Sequence, residues 1–401
     1  MRQDPEVPQA IVIVGGGPAG LMAAEVLASS GEEVAITIHE RMPSAGRKLQ
    51  LAGRGGLNLT HTEPLDRLVD RYGDARPTLE AAIRAFGPDE LRAWSGSLGQ
   101  RAVVGTSGRV FPEAFRATPL LRAWLRRLDD LGVVLRPRST WLGWDDEGRV
   151  RFDDGDVVAS ATILALGGAS WPRTGSDGSW VSVVERAGIA VTPLRPANAG
   201  VAVPWSSVFV ERFAGTALKT VEVRAGDAVA RGDLMITASG IEGGPVYAVG
   251  RSVRDGGTAI RIDLRPDVDA GELAMRLQNR RRPKDSLSST LRRTAGLAPA
   301  AIGLLREAGP LPTASRELAR RIKDVRLDVT GLQPIGRAIS TAGGIALDEI
   351  DERFMLHRRP GTFVAGEMLD WEAPTGGYLL QATLSTAVAA ARGALAWVRS
   401  S

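Results

Sequence analysis

The chain has 401 residues, 44% of them hydrophobic, with no cysteine, three histidines and a formal net charge of +4. Without a thiol there is no disulfide, thiolate nucleophile, zinc–thiolate site, iron–sulfur cluster or redox-active cysteine pair. His39, His61 and His357 are far apart and form no ligand spacing, so no metal site is expected.

The first element is a strand, Ile11-Val12-Ile13-Val14, which runs into Gly15-Gly16-Gly17-Pro18-Ala19-Gly20. An apolar stretch from Leu21 to Leu27 follows, and then a second strand, Val34 to Ile38, that ends at His39-Glu40. This is a β-α-β unit with G-x-G-x-x-G and an acid about 20 residues on, the layout of a dinucleotide site. Gly15 permits the tight turn, Gly17 the approach of a pyrophosphate, and Gly20 close packing of helix on sheet. The helix that opens at Pro18-Ala19 offers unpaired N–H groups and a partial positive charge to that pyrophosphate. Glu40 is placed to accept ribose hydroxyls, and Arg41 beside it is a further cofactor-binding candidate. The motif alone does not choose between FAD and NAD.

Residues 41–62 are glycine-rich and basic with no clear period, and so long a loop in a compact domain is usually functional. Residues 64–100 read as mostly helical, and 117–131 as an amphipathic helix with Leu120, Leu121, Trp124, Leu125, Leu128 and Leu131 on one face. Short strands follow at 133–135, 140–144 and 150–152, and then the continuous apolar run Ala161 to Leu166, which suits a central parallel strand. From about 195 to 265 the pattern changes to alternating strands with frequent glycine, and from about 267 to 325 to charged helices, including Arg280-Arg281-Arg282-Pro283-Lys284. That basic run reads as a solvated helix end in preference to a phosphate contact. Strands return from Val325, and a final helix is expected over 376–397. There is no internal repeat, low-complexity tract, transmembrane stretch or signal-peptide pattern, so the chain reads as a soluble cytoplasmic protein.

The expected fold is therefore α/β: a Rossmann-like domain made of 1–194 and 330–401, with a β-rich, barrel-like antiparallel insert at 195–266 and a small helical insert at 267–329.

Further segments carry a resemblance. Ile163-Leu164-Ala165-Leu166-Gly167-Gly168 is similar to the strand ending in A-T-G-G of glutathione-reductase-type flavoproteins. Phe363-Val364-Ala365-Gly366-Glu367 with Gly376-Gly377-Tyr378 is similar to their A-G-D/E segment and the helix that follows. Gly46-Arg47-Lys48 with Gly53 to Thr60, Gly168-Ala169-Ser170-Trp171-Pro172-Arg173-Thr174-Gly175, Thr341-Ala342-Gly343-Gly344-Ile345, and Gly366-Glu367-Met368-Leu369-Asp370 with Thr375 to Tyr378 resemble the signatures of the BaiN-like FAD-dependent oxidoreductases. That group also contains aminoacetone oxidase. The chain departs from the pattern at Leu57, where the family has cysteine, at Leu379, where it has asparagine, and at Trp171, where it has tyrosine. These departures suggest a divergent subgroup.

The resemblance implies FAD, with NAD(P)H as a candidate co-substrate. It implies that Gly167, Gly344, Gly366 and Glu367 border the cofactor, with Glu367 near the ribityl chain or pyrophosphate. Gly376, Gly377, Tyr378 and Leu379 would form the helix start that faces the flavin N1–C2=O edge, with the two glycines leaving the approach open. Lys48 would lie near N5 or a phosphate, and Asn58 and Thr60 near the ring edge. Trp171, Trp371 and Tyr378 are candidate pocket walls, and His61 a candidate for the active site. No acid–base or nucleophile constellation is visible, so no catalytic residue is assigned; the cofactor itself carries the hydride.

The function expected is hydride transfer between a small organic substrate and flavin N5. There is no second G-x-G-x-x-G after a strand, which leaves O2 or transiently docked NAD(P)H as the partner in turnover. Two other readings are an NAD(P)-dependent dehydrogenase without flavin and an RNA-associated flavoprotein. The modest charge does not require nucleic acid or a membrane as partner.

Overall fold

The computed structural model describes residues 9–279 and 285–400. The basic run Arg280 to Lys284 lies outside them. The chain divides into two units, one made of 1–195 and 339–401 and the other of 196–338.

The first unit is built on five parallel strands, β1 (Gln9–Val14), β2 (Val34–Glu40), β3 (Val134–Pro137), β4 (Ala161–Leu164) and β5 (Thr362–Val364), in the order β5-β4-β1-β2-β3. Ile11, Ile13, Ile163 and Leu164 have no exposed surface, as expected of strands covered on both faces. Helix α1 (Pro18–Ala28) links β1 to β2, with Gly17 as its N-cap and Pro18 in its first turn, where a missing N–H costs nothing. Helices α2 (Arg47–Ala52), α3 (Ala117–Asp130) and α4 (Tyr378–Ser400) complete the part that shapes the site. α1 packs on α4, and both carry buried small residues: Ala23 and Ala24 on one, Ala387, Ala390, Ala391 and Ala394 on the other. Small side chains let two helices come close.

Two local expectations change. Residues 41–62 are not all loop, since α2 lies within them. The strand near 133–135 belongs with the parallel sheet, next to β2, and not with its sequence neighbours. Those neighbours, 141–144, 150–152 and 155–157, make their own three-stranded antiparallel sheet.

In the second unit, seven strands between 201 and 332 form one antiparallel sheet. Its two end strands, Val325–Asp328 and Gly331–Leu332, are separated in sequence only by Val329 and Thr330. So short a link spans roughly 11 Å at most, so the two edges of the sheet are brought together, which gives the barrel-like form expected. The expected division into two inserts does not hold. Leu273 and Leu277 of one helix, Leu304 and Leu305 of another and Ile322 of a third share a single apolar core with Val223, Ile236 and Ile260 of the strands. The helices need the sheet to bury their apolar faces, so 267–329 is no separate subdomain.

Candidate functional site

A cavity of about 720 Å³ opens in the first unit where the parallel strands end. Val14 at the end of β1 and Gly15 after it, His39 and Glu40 of β2, Ala165 and Gly167 after β4, and Ala365 after β5 all line it. This is the carboxyl edge of a parallel sheet, where open α/β folds bind their ligands.

The three motif glycines separate by role. Gly15 has φ +107°, and a Cβ there would lie 2.4 Å from the Ala165 carbonyl oxygen. A Cβ on Gly20 would lie 1.9 Å from the Gly15 carbonyl oxygen. The chain itself requires both. A Cβ on Gly17 would meet nothing within 4 Å, and Gly17 lines the cavity, so nothing in the packing of the chain requires that glycine.

Glu40 holds the turn. One carboxylate oxygen accepts the Gly16 N–H and the other the Met42 N–H, each at 2.7 Å. Burial pushes its carboxyl above the usual range, against the pull of those two amides. Each oxygen keeps a second lone pair for a hydroxyl from the cavity.

His39 is tied down on its inner side. Ser139 Oγ donates to Asp154 Oδ1 at 2.7 Å, so it accepts from His39 Nδ1 at 2.8 Å, and Nε2 is left without the proton. The ring stacks on Phe152 with centroids 3.8 Å apart. Burial, and the Arg136 charge behind it, lower the His39 pKa from 6.5 to about 4, while Asp154 opposes them. The unfolded chain therefore gains a proton between pH 6.5 and 4 that the folded chain refuses. Stability falls with falling pH across that window and is unaffected by this group above it. Urea titrations at pH 7 and pH 4 should show the wild type losing about 2 kcal/mol more than His39→Gln. Equal losses would show that His39 is not held neutral.

Lys48, on α2, and Glu367, just after β5, both line the cavity and pair at 2.5 Å. The other Glu367 oxygen accepts the Thr341 N–H at 2.9 Å. This carboxylate thus ties three segments distant in sequence. Five buried polar atoms of cavity residues lack any partner among the described residues: Arg41 Nε, Arg47 Nε, Asn58 Oδ1, Trp141 Nε1 and Ser176 Oγ. Buried polar atoms are ordinarily satisfied, and here two guanidinium N–H groups, an indole N–H, an amide carbonyl and a hydroxyl are left without a partner from the protein.

Of the residues singled out from the sequence, Gly15, Gly17, Pro18, Ala19, Glu40, Arg41, Lys48, Asn58, Gly167, Glu367, Gly376, Gly377 and Leu379 line the cavity; Gly20, Thr60, Gly344, Gly366 and Tyr378 do not. Thr60 is fully buried and gives its hydroxyl to Gln381 Oε1 at 2.6 Å. A Cβ on Gly377 would sit 2.4 Å from the Thr60 backbone, so this glycine is needed by the chain and not only by a ligand. Gly344 is pressed against Met368 O in the same way, at 2.5 Å, and Gly366 against Ala19 at 2.9 Å. Tyr378 stacks on His61, with centroids 5.4 Å apart, and burial with the Glu63 carboxylate raises its phenol pKa. His61 is occupied by the Glu63 N–H and Ser107 O, both at 3.0 Å, and is not in the cavity lining. Trp171 and Trp371 do line it. Sequence reasoning missed Arg47 and Ser176 as site residues, although both adjoin or lie in quoted motifs. It also missed the stretch Ser139 to Leu142, whose only signal was a short strand.

Among the described residues no cluster of three or more His, Asp or Glu is placed to hold a metal ion, and no helix is long and apolar enough to cross a membrane.

The HI0933-like protein Rossmann domain family matches residues 9–393. The chain belongs to that family. The HI0933-like group is the flavoprotein group whose signatures the sequence carries, and its member here is an FAD-dependent oxidoreductase. This leaves the flavin-free dehydrogenase reading without support. A 3-dehydro-bile acid delta(4,6)-reductase of Clostridium scindens is 26% identical over 407 residues, covering 96% of this chain and 98% of that protein. A ribosomal RNA dihydrouridine synthase of Escherichia coli is 27% identical over 406 residues, covering 96% and 98%. Among solved structures, the 3-ketosteroid delta1-dehydrogenase of Sterolibacterium denitrificans superimposes with a TM-score of 0.55 at 12% identity, over 98% of this chain and 100% of that one. At that identity the likeness is one of fold.

Proposed function

We propose that this HI0933-like protein holds FAD in the cavity of the first unit and reduces a small organic substrate, with NAD(P)H as the source of electrons. The observation that carries the placement is the set of five orphaned polar atoms, Arg41 Nε, Arg47 Nε, Asn58 Oδ1, Trp141 Nε1 and Ser176 Oγ, around a cavity into which Gly17 opens without obstruction. Gly15, Gly17, Pro18 and Ala19 would hold the pyrophosphate at the start of α1, where helix N–H groups and the dipole favour negative charge. Glu40 and Arg41 would hold the adenosine side. Lys48, Asn58, Glu367 and the start of α4 at Gly376, Gly377 and Leu379 would hold the flavin side. FAD bound there supplies hydride transfer at N5. The N-terminus of α4 would stabilise negative charge on the reduced ring, and Leu49, Leu57 and Trp371 would keep water from it. The reductase named among the relatives favours the reducing direction.

The purified protein should show the oxidised-flavin bands near roughly 370 and 450 nm. Mixed anaerobically with NADPH it should bleach them. No bands after reconstitution with FAD would overturn the cofactor; bands that NADPH leaves untouched but substrate bleaches and O2 restores would make it an oxidase.

A second reading has one observation in its favour, the comparable similarity to a ribosomal RNA dihydrouridine synthase. It makes RNA the substrate and predicts salt-dependent retention of RNA by the holoprotein. No retention at low salt would dismiss it.

A further inference from the structure

Six non-glycine residues among those described have positive φ: Phe115, Arg138, Trp171, Asn198, Thr220 and Phe354. Only Trp171 among them lines the cavity. Its backbone sits at φ 60°, ψ 62°, in the left-handed region that a large side chain avoids. Such strain persists only when the surroundings over-determine it, and it gathers at functional positions. Both flanks are fixed. Ala169 N–H donates to Thr341 Oγ1 at 2.9 Å, and Ser170 is fully buried. On the other side the Trp171 carbonyl accepts from Thr174 N–H at 2.9 Å and from Thr174 Oγ1 at 2.8 Å. The clamp holds the backbone and leaves the ring free. Trp171 is 38% exposed, and among the described residues no ring stacks on its indole and no group bonds the indole N–H. An aromatic side chain left partly uncovered at a strained backbone position, on the wall of a cavity, is open to a ligand.

We infer that Trp171 is a specificity-determining residue: a fixed stacking platform that selects flat, ring-shaped apolar substrates over puckered or branched ones of similar size. This rests on the cavity being the redox site proposed above. A flat ring laid on the indole gains both buried area and the offset-stacking preference of aromatic faces, whereas a globular molecule of equal size touches it along an edge. Ile339, also 38% exposed and in the cavity lining, extends the apolar surface.

The test uses FAD-loaded protein titrated calorimetrically with menadione, a flat two-ring quinone, and with camphor, a compact cage ketone. Trp171→Phe should keep menadione affinity within about threefold. Trp171→Ala and Trp171→Gly should each weaken it about tenfold or more, a difference of about 1.4 kcal/mol, with little change for camphor. The strain has its own readout: Trp171→Gly should melt above Trp171→Ala, the reverse of the order at an ordinary position, because glycine alone accepts this backbone freely. Flavin content separates the two claims. Protein that never retains FAD overturns the cofactor reading. Protein that retains FAD but binds menadione equally in Trp171→Phe and Trp171→Ala, or loses camphor in parallel, overturns the platform.

Discussion

Gly17→Val should fold like the wild type and fail to keep FAD, whereas Gly20→Ala should lose both fold stability and FAD. The contrast follows from the same motif. Gly17 has an extended backbone (φ −81°, ψ −178°) that valine adopts without strain, and no atom lies within 4 Å of its added Cβ. The apoprotein should therefore unfold within about 1 kcal/mol of the wild type, the size of a helix N-cap effect, while the new side chain fills the approach to the pyrophosphate. In Gly20→Ala the added methyl would lie 1.9 Å from Gly15 O. Helix and turn must part, at a cost of about 3 kcal/mol as for an overpacked core. Chemical denaturation of the apoproteins and the ratio of flavin to protein absorbance measure the two effects. A Gly17→Val protein that copurifies with one FAD per chain would refute the placement of the cofactor.

Lys48→Met should be more harmful than Lys48→Met combined with Glu367→Gln. In the single variant the Glu367 carboxylate, only 14% exposed, keeps the Thr341 N–H and loses its cation. Breaking one side of a poorly solvated pair leaves an uncompensated charge, here at a cost of about 2 kcal/mol given the partial exposure. In the double variant the side-chain amide oxygen that replaces the carboxylate still accepts from Thr341 and no charge is stranded, so most of the loss should return. Stabilities of the wild type, the two single variants and the double variant in urea form the cycle. Strictly additive losses would mean that the pair does not hold the three segments together.

Much of the first unit was legible because its signals are local. A strand, a glycine turn, a helix and a strand ending in an acid follow one another within 9–40, and each constrains the next. The parallel strand at 161–164 announced itself as an unbroken apolar run. The second unit was harder. Its helices looked independent because the residues that bury their apolar faces are up to about a hundred positions away on the strands, as Val223 is from Ile322. In the site, most of the residues named from the sequence line the cavity, but the sequence could not show which of them the chain also needs for its own packing. Thr60 and Gly377 lie together and serve each other, and Tyr378 serves His61 and Glu63. Only the packing shows which glycine faces a neighbour and which faces empty space. The strain at Trp171 leaves no mark in the sequence at all, since a backbone angle is imposed by the clamp around it.

The strand order of the parallel sheet also fixes a timetable. β4 pairs on one side with β1 and on the other with β5, and β5 and the start of α4 come only after residue 361. On the ribosome, at roughly 5–20 residues per second, the turn at Gly15 exists for tens of seconds before the last wall of its cavity is made. All of 196–338 is synthesised in that interval, with its own core and its own sheet. A nascent chain can thus complete the inserted unit while the surrounding one still waits for its closing strand, and the cavity is finished only near the end of synthesis.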